Sequence, residues 1–356
     1  MNVINQCGGD GWVLYHGDSC EVTKGIPTNS IHLIVKSPPF RELFVYSDSP
    51  RDLGNCASPG EFSEQFKYLA REEFRILMPG RLSAVHCMDL PKTIAKDGII
   101  GLSDFPGELV RLYESVGFIF HSRIIIWKDP VVAMQRTHAR GLLHKELCRD
   151  SSVSRMGICD QVLVFGKPGK NEVPIAHKGD ALGTKTSGKP LMWQRAASPV
   201  WGMPVTEEDL DSSGRPIFWN RYAAPVWASA SGIGDDGFVT YCNPTADNRD
   251  IRGIDQGDTL QRQKADGDEK HICPLQRGVI RRCLDLWSLP GETMFTPFAG
   301  IGSEMVTALE HNRNAAGIEL KEEYYNQARG HIETVFAKRA QLSHPALGGD
   351  VNPGDA

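Results

Sequence analysis

Three observations predict an α/β protein built on a mainly parallel sheet. Apolar, β-branched runs such as Ile31-His32-Leu33-Ile34-Val35 alternate along the chain with stretches whose apolar residues keep helical spacing. Two of the runs end in turns of marked chemistry, Ser37-Pro38-Pro39-Phe40 and Pro297-Phe298-Ala299-Gly300-Ile301-Gly302. The alternation breaks once, over 170–262, where Gly, Ser, Pro and Asp accumulate. Residues 1–169 and 263–337 therefore read as two halves of one domain, 170–262 as an insertion and 338–356 as a flexible tail. Strands alternating with helices make βαβ units, whose ligands bind beyond the carboxyl ends of the strands.

Composition narrows the function classes. With 356 residues, 40% of them hydrophobic, the chain can bury a large core. Its nine Cys contain no C-x-x-C pair and no His/Cys cluster of zinc-like spacing, so reduced thiols and no structural metal are expected. There is no apolar run long enough to span a bilayer and no signal-like N-terminus, so no membrane role and a cytoplasmic location are expected. A net charge of −5 argues against an all-basic nucleic-acid coat but leaves room for a local basic groove.

In chain order, Trp12–Tyr15 is predicted as a strand leading into Gly17-Asp18-Ser19, where Asp18 suits an N-cap and also faces the sheet's carboxyl edge. The strand Ile31–Val35 ends at Ser37-Pro38-Pro39-Phe40. Proline fixes φ and lacks an N–H, so this turn is stiff and presents a hydroxyl, carbonyls and an aromatic ring. A planar group bearing an exocyclic amine could stack on Phe40 and donate to Ser37 and the Pro38 carbonyl. A polar loop over 47–55 follows and carries Arg51. Phe62, Phe66, Leu69, Ala70, Phe74 and Leu77 mark a helix that Met78-Pro79-Gly80 is expected to stop. Strands are predicted at Arg81–Cys87, Phe118–Phe120, Ile124–Trp127 and Gln161–Phe165, with a helix over 107–115. Between the last strands, Arg123, Arg136, Arg140, Lys145, Arg149 and Arg155 outnumber Asp129, Glu146 and Asp150, a segment suited to phosphate contacts. The insertion holds four of the seven Trp, interleaved with Lys185, Arg195, Arg215 and Arg221, a mixture suited either to bases and backbone or to a small core of its own.

Regular structure is predicted to resume near Lys270-His271. A helix then places Val279, Ile280, Cys283, Leu284 and Trp287 on one face, and Thr293–Thr296 is the next strand. It runs into the Gly300-x-Gly302 turn, a helix over 303–310, a strand at Ala315–Ile318 closed by Glu319, and a helix over 321–337. Glycines let the backbone pass close under a ligand, and Glu319, 19 residues beyond Gly300, lies where an acidic side chain grips ribose hydroxyls. Met305 stands where the third glycine of a dinucleotide fingerprint would fall, and no Lys-Ser/Thr follows the turn. Both facts favour a nucleoside without a pyrophosphate, such as S-adenosyl-L-methionine.

Thr296-Pro297-Phe298-Ala299-Gly300-Ile301-Gly302 resembles the cofactor motif of the amino-directed DNA methyltransferases, and Ser37-Pro38-Pro39-Phe40 resembles their catalytic tetrapeptide. Catalytic motif, variable region and cofactor motif follow in the order of the β-type members, with phage and prophage enzymes the most similar around 47–55 and 271–276. The resemblance implies a Rossmann-like S-adenosylmethionine-dependent methyltransferase sheet in circularly permuted order, with 170–262 as target-recognition region. It implies Ser37, Pro38, Pro39 and Phe40 as catalytic residues acting on a flipped base in double-stranded DNA. Asp18, His271, Thr296, Phe298, Ala299, Gly300, Gly302 and Glu319 are implied for the cofactor, and Arg51, Arg136, Arg140, Lys145 and Arg149 for DNA. Thr296 departs from the Asp common in the family. Ser at the head of the tetrapeptide implies cytosine N4 as acceptor, with adenine N6 the alternative. Dimers being common in the family, a homodimer is an open option. Cytosine-C5 chemistry needs a Cys after Pro as nucleophile, and none of the nine Cys follows a Pro. An RNA or protein amine methyltransferase, a silent DNA-binding protein and a nicotinamide oxidoreductase remain as competing readings.

Overall fold

A computed structural model describes residues 3–41, 53–56, 58–126, 142–176, 200–201, 259–261 and 274–343. Its centre is a nine-stranded sheet made of β1 (Asn5–Gly9), β2 (Trp12–His16), β3 (Ile31–Lys36), β4 (Leu77–Met88), β7 (Ile119–Ile126), β8 (Asp160–Gly166), β9 (Val200–Trp201), β10 (Thr293–Thr296) and β11 (Asn314–Glu319). The remaining strands, β5 (Leu90–Lys92) and β6 (Gly101–Ser103), form a separate hairpin with the short helix α3 (Ile94–Asp97) between them. The sheet order is β1-β2-β11-β10-β3-β4-β8-β7-β9. Strands β2, β11, β10, β3 and β4 are parallel, β8 runs against β4 and β7, and β1 runs against β2.

Strand β10 from the C-terminal half lies directly beside β3 from the N-terminal half, Met294 opposite Leu33 and Phe295 opposite Ile34. From β10 the chain goes through α7 (Ser303–Glu310), whose Met305, Val306 and Leu309 join one core. From β3 it goes on to α2 (Pro59–Ile76), whose Phe62, Phe66 and Leu69 join the other. The two crossovers thus cover opposite faces, and the crevice between the ends of β10 and β3 is the switch point where open α/β sheets bind ligands. The first core is completed by α6 (Arg277–Trp287) and α8 (Glu322–Ser343). The second is completed by the short α1 (Ser19–Val22) and by α4 (Phe105–Val116), which begins with Pro106 inside its first turn and ends at a left-handed Gly117.

Three expectations are corrected. Met78-Pro79-Gly80 does not separate helix from strand, because β4 already starts at Leu77. The pairing with β3 jumps from Ile31–Leu77 to Leu33–Leu82, so the Pro-Gly pair is accommodated as an irregularity inside the strand. Gly80 donates to the Lys167 carbonyl at 3.0 Å, and Lys167 donates to that of Arg81 at 3.0 Å, which keeps the ladder satisfied. The two short strands predicted over 118–127 are the single strand β7, with an irregularity between Phe120 and Ser122. Helix α8 continues to Ser343, six residues into the segment predicted as tail. Within the insertion, Val200–Trp201 pairs in parallel with Ile125–Ile126 of β7, so this stretch is part of the main sheet.

Candidate active site

The carboxyl edge gathers both unusual turns. Alternation along β3 sends Leu33 and Val35 to one core and Ile34 to the other, and it continues to the strand's polar end. Lys36 follows Ile34 and Ser37 follows Val35. The two residues therefore meet different polar partners on opposite faces of the sheet.

On the second face, Lys36 is fully buried and its Nζ donates to Glu73 Oε1 of α2 and to the Tyr113 hydroxyl of α4. Tyr113 donates in turn to Glu73 Oε2 at 2.8 Å. The Lys36 ammonium lies 5.4 Å from the Phe66 ring centre and 5.1 Å from that of Tyr113. Burial pushes Lys36 down and Tyr113 well up, while the Glu73 carboxylate pulls Lys36 back toward the charged form. The residue after the tetrapeptide is fixed as well. Arg41 sits at φ 51°, is buried, pairs with Glu108 of α4 and lies over Phe105.

On the first face, register lines up a second polar chain. Val35 is opposite Ala84 and Lys36 opposite Val85, so Ser37 comes level with His86 of β4; antiparallel β8 begins at Asp160 beside Met88. Ser37 Oγ is 3.1 Å from His86 Nδ1, and His86 Nε2 is 2.9 Å from Asp160 Oδ2. A carboxylate only accepts, so Nε2 carries a proton; in the neutral imidazole Nδ1 is then the acceptor, and the Ser37 hydroxyl donates to it. The lone pairs of Ser37 Oγ are then left to accept from a ligand. Ser-His-Asp is also the constellation of hydrolases, but acyl transfer needs hydrogen-bond donors for an oxyanion, commonly backbone N–H groups beside the nucleophile. The next two residues, Pro38 and Pro39, have none. The turn is an array of acceptors, suited to an amine. Phe40 is part-buried, its ring centre 6.1 Å from those of His86 and Phe105.

The second turn is built on backbone. Gly300 has φ 53°, and a Cβ there would meet nothing within 4 Å, so open space lies above it. The Gly300 N–H donates to Glu319 Oε2 at 2.7 Å, and Glu319 Oε1 accepts from Lys321 N at 2.8 Å. Gly302, at φ 91°, is the N-cap of α7, and a Cβ there would come 3.2 Å from Ala328 of α8, so this glycine serves helix packing. Ala299 is buried and its N–H donates to the Ile318 carbonyl at 2.8 Å. Phe298 is stacked with Phe66 at 6.3 Å. Thr296 is fully buried at the end of β10, and its Oγ1 has no hydrogen-bond partner. Asp18 caps α1 by accepting from Cys20 N at 2.8 Å, Ser19 donates to the Pro297 carbonyl, and Gly17 N donates to the Glu319 carbonyl at 2.9 Å. Three turns from distant parts of the chain are thereby tied into one rim. Glu304, in the first turn of α7, is buried, and burial raises its carboxyl to about 8. Burial also lifts the Cys20 thiol to about 12 and the Cys87 thiol well above its usual range, so neither supplies a thiolate.

Of the basic residues expected to meet DNA, Lys145 and Arg149 are exposed on α5 (His144–Arg149). The segment carrying them links the end of β7 to the start of β8, and both lie at the carboxyl edge with Ser37. Arg51, Arg136, Arg140, His271 and most of 170–262 lie outside the described residues. Among the described residues, no group of three or more His, Cys, Asp or Glu could hold a metal ion, and no helix is long and apolar enough to cross a membrane.

A sequence profile of the DNA methylases acting at N6 or N4 matches residues 31–330, taking in both turns and everything between them. The chain belongs to this DNA methylase family. Members use S-adenosyl-L-methionine and act on DNA, and this chain is an S-adenosylmethionine-dependent DNA methyltransferase. Among solved structures it is similar to a Thermus thermophilus protein, provisionally described as a DNA modification methylase, in complex with S-adenosyl-L-methionine. Identity is 17%, coverage 90% of this chain and 93% of that one, and the TM-score 0.55. It is also similar to the PvuII DNA methyltransferase (cytosine-N4-specific), at 15% identity, 96% coverage of each chain and a TM-score of 0.54. At such identities the likeness establishes the fold, the mostly parallel sheet of S-adenosylmethionine-dependent methyltransferases. Among curated proteins no sequence match stands above chance.

The residues of this DNA methyltransferase fit the cofactor. The space above Gly300, the Glu319 carboxylate beside it and the unpartnered Thr296 hydroxyl would offer it a cradle, an anchor for hydroxyls and an oxygen able to accept from an amine. What sequence reasoning missed are His86 and Asp160, and Lys36, Glu73 and Tyr113 beneath the turn. The signal lay in polar residues at the site-side ends of apolar strands, Lys36 directly before Ser37 and Asp160 directly before Gln161–Phe165.

Proposed function

We propose that the enzyme methylates the exocyclic N4 amine of a cytosine flipped out of double-stranded DNA. Ser37 carries the acceptor assignment, since it heads the tetrapeptide where the adenine-directed members carry Asp. Phe40 offers its ring face to the base, while Ser37 Oγ and the Pro38 carbonyl accept from the amine and aim its lone pair. Glu319 holds ribose hydroxyls, Thr296 the methionine end, Gly300 and Phe298 line the cradle, and Ala299, Gly302 and Asp18 set the shape of its rim. S-adenosyl-L-methionine, when bound, supplies a methyl group activated on a sulfonium. The chain's own contribution is chiefly positioning.

Exposed Lys145 and Arg149 contact phosphates at the same edge; Arg51, Arg136 and Arg140 are assigned to DNA as well, and His271 to the cofactor. Residues 170–262 recognise the target sequence; the parallel pairing of Val200–Trp201 beside β7 supports this, because β9 ends at the same edge of the sheet as β7. The enzyme acts in the cytoplasm of a bacterial or phage-infected cell, and as a homodimer if its mass in solution is twice that of the chain. The test is incubation with tritiated S-adenosyl-L-methionine and unmethylated genomic DNA, then nucleoside digestion and mass spectrometry. N4-methylcytosine is expected. N6-methyladenine would keep the amine chemistry and overturn the acceptor.

A further inference from the structure

We infer that His86 and Asp160 form a proton relay behind Ser37, through which the amine's proton leaves the site as the methyl group arrives. This rests on the reading of Ser37 as the amine's acceptor. An exocyclic amine conjugated to a base is a weak nucleophile, and its nitrogen must end neutral. The nitrogen's lone pair forms the new N–C bond, the thioether keeps the pair from the broken S–C bond, and the nitrogen then carries a positive charge and one proton too many. Ser37 alone could not hold that proton, but Ser37 Oγ, 3.1 Å from His86 Nδ1, can take it while its own proton passes to Nδ1. The resulting imidazolium is stabilised by Asp160 at 2.9 Å on Nε2. The proton later leaves His86 for water, which restores the starting state.

Three features favour a relay over a merely structural contact. The chain is continuous from a part-exposed hydroxyl to a buried carboxylate, with Asp160 only 1% exposed. It occupies the face opposite Lys36-Glu73-Tyr113, which already fixes the turn. The carboxylate sets the imidazole tautomer, so the acceptor nitrogen faces Ser37. Around the ring, Ser37 and Phe40 belong to the catalytic turn and Asp160 to β8. The other charged groups felt at this end of the sheet are Asp89, Asp104 and Arg123. His86 and Asp160 are positioning residues, since only Ser37 meets the substrate.

The experiment compares wild type, His86→Asn and Asp160→Asn. Rates come from single-turnover methyl transfer to DNA between pH 5.5 and 9, cofactor affinity from calorimetry. The imidazole comes from nitrogen-15 NMR, the His86 signals being those lost in H86N. Asn places a polar atom where Nδ1 was and cannot titrate. For wild type, the relay requires an Nε2–H tautomer in NMR and a rate that falls as pH drops through the His86 titration. H86N should be slower by about 10²–10⁴-fold with cofactor affinity unchanged and that pH limb gone. D160N should shift the limb, and the NMR titration with it, to lower pH. An H86N enzyme as fast as wild type, or an Nδ1–H tautomer, overturns the relay while leaving the methyltransferase reading intact. A wild type that binds cofactor but methylates no DNA overturns that reading and the relay together.

Discussion

Two turns at the ends of neighbouring strands are built by opposite means. The turn after β3 is made of prolines and is rigid before any ligand arrives. Everything that holds it is a side chain: Lys36 with Glu73 and Tyr113 on one face, His86 with Asp160 on the other, Arg41 with Glu108 at its exit. The turn after β10 is made of glycines and is held through its own backbone groups: Glu319 accepts from the Gly300 N–H, Ser19 donates to the Pro297 carbonyl and His331 Nδ1 lies 2.9 Å from the Ile301 carbonyl. Reacting atoms need a fixed hydroxyl, and a fixed hydroxyl needs buried side-chain partners. A nucleoside needs room above the chain, and room comes from missing side chains. With the roles proposed above, the turn after β3 should therefore fail through chemistry and stability, the turn after β10 through affinity.

The sharpest way to break the contrast is Ser37→Ala. Turnover should fall by about 10²–10⁴-fold with cofactor affinity unchanged, read by single-turnover transfer and calorimetry. Loss of affinity with turnover per bound cofactor preserved would exchange the roles of the two turns. Next, Glu73→Ala leaves the Lys36 ammonium buried and unpaired, which should cost roughly 3–5 kcal/mol in urea unfolding. On the cofactor side, Glu319→Gln replaces a charged acceptor facing the Gly300 N–H. Cofactor affinity should fall about 10–100-fold by calorimetry, with folding stability changed little. A pH-dependent effect is expected at Glu304, whose carboxyl is raised to about 8 by burial. Between the ordinary carboxylate range and about 8, the folded state holds a proton that the unfolded state has released. Stability should thus fall as pH rises through that window. Glu304→Gln should flatten the dependence, its thermal midpoint standing above wild type at pH 8.5 and close to it at pH 5.

Both turns were legible in the sequence because they violate local rules. Two prolines end an apolar run, and a Gly-x-Gly follows a strand with an acidic residue at the end of the next one. The elements between them were legible for the same reason that Met78-Pro79-Gly80 was misread. Periodicity and breakers report local conformation, while tertiary pairing, here with Lys167, decides whether a Pro-Gly ends a strand or is absorbed in it. The Ser37-His86-Asp160 chain was not legible. It depends on the register of β3 against β4 and on β8 running antiparallel, neither of which is written near any of the three residues. Lys36 had a local sign, a charge within an otherwise apolar run, but its partners lie on two separate helices.

Met305 stands where a dinucleotide-binding helix would carry its third glycine, and the strand that Met305 packs against has Gly317. A Cβ at Gly317 would overlap Met305 Sδ, so the sulfur fills the space that a side chain on β11 would need. The smallness that lets helix and sheet approach has changed sides. These two positions share one volume between them and are coupled: Gly317→Ala alone should be destabilising, and Met305→Ala added to it should recover part of the loss. A fingerprint written along a single segment registers the missing glycine as a defect, whereas the interface, counted across both partners, lacks nothing.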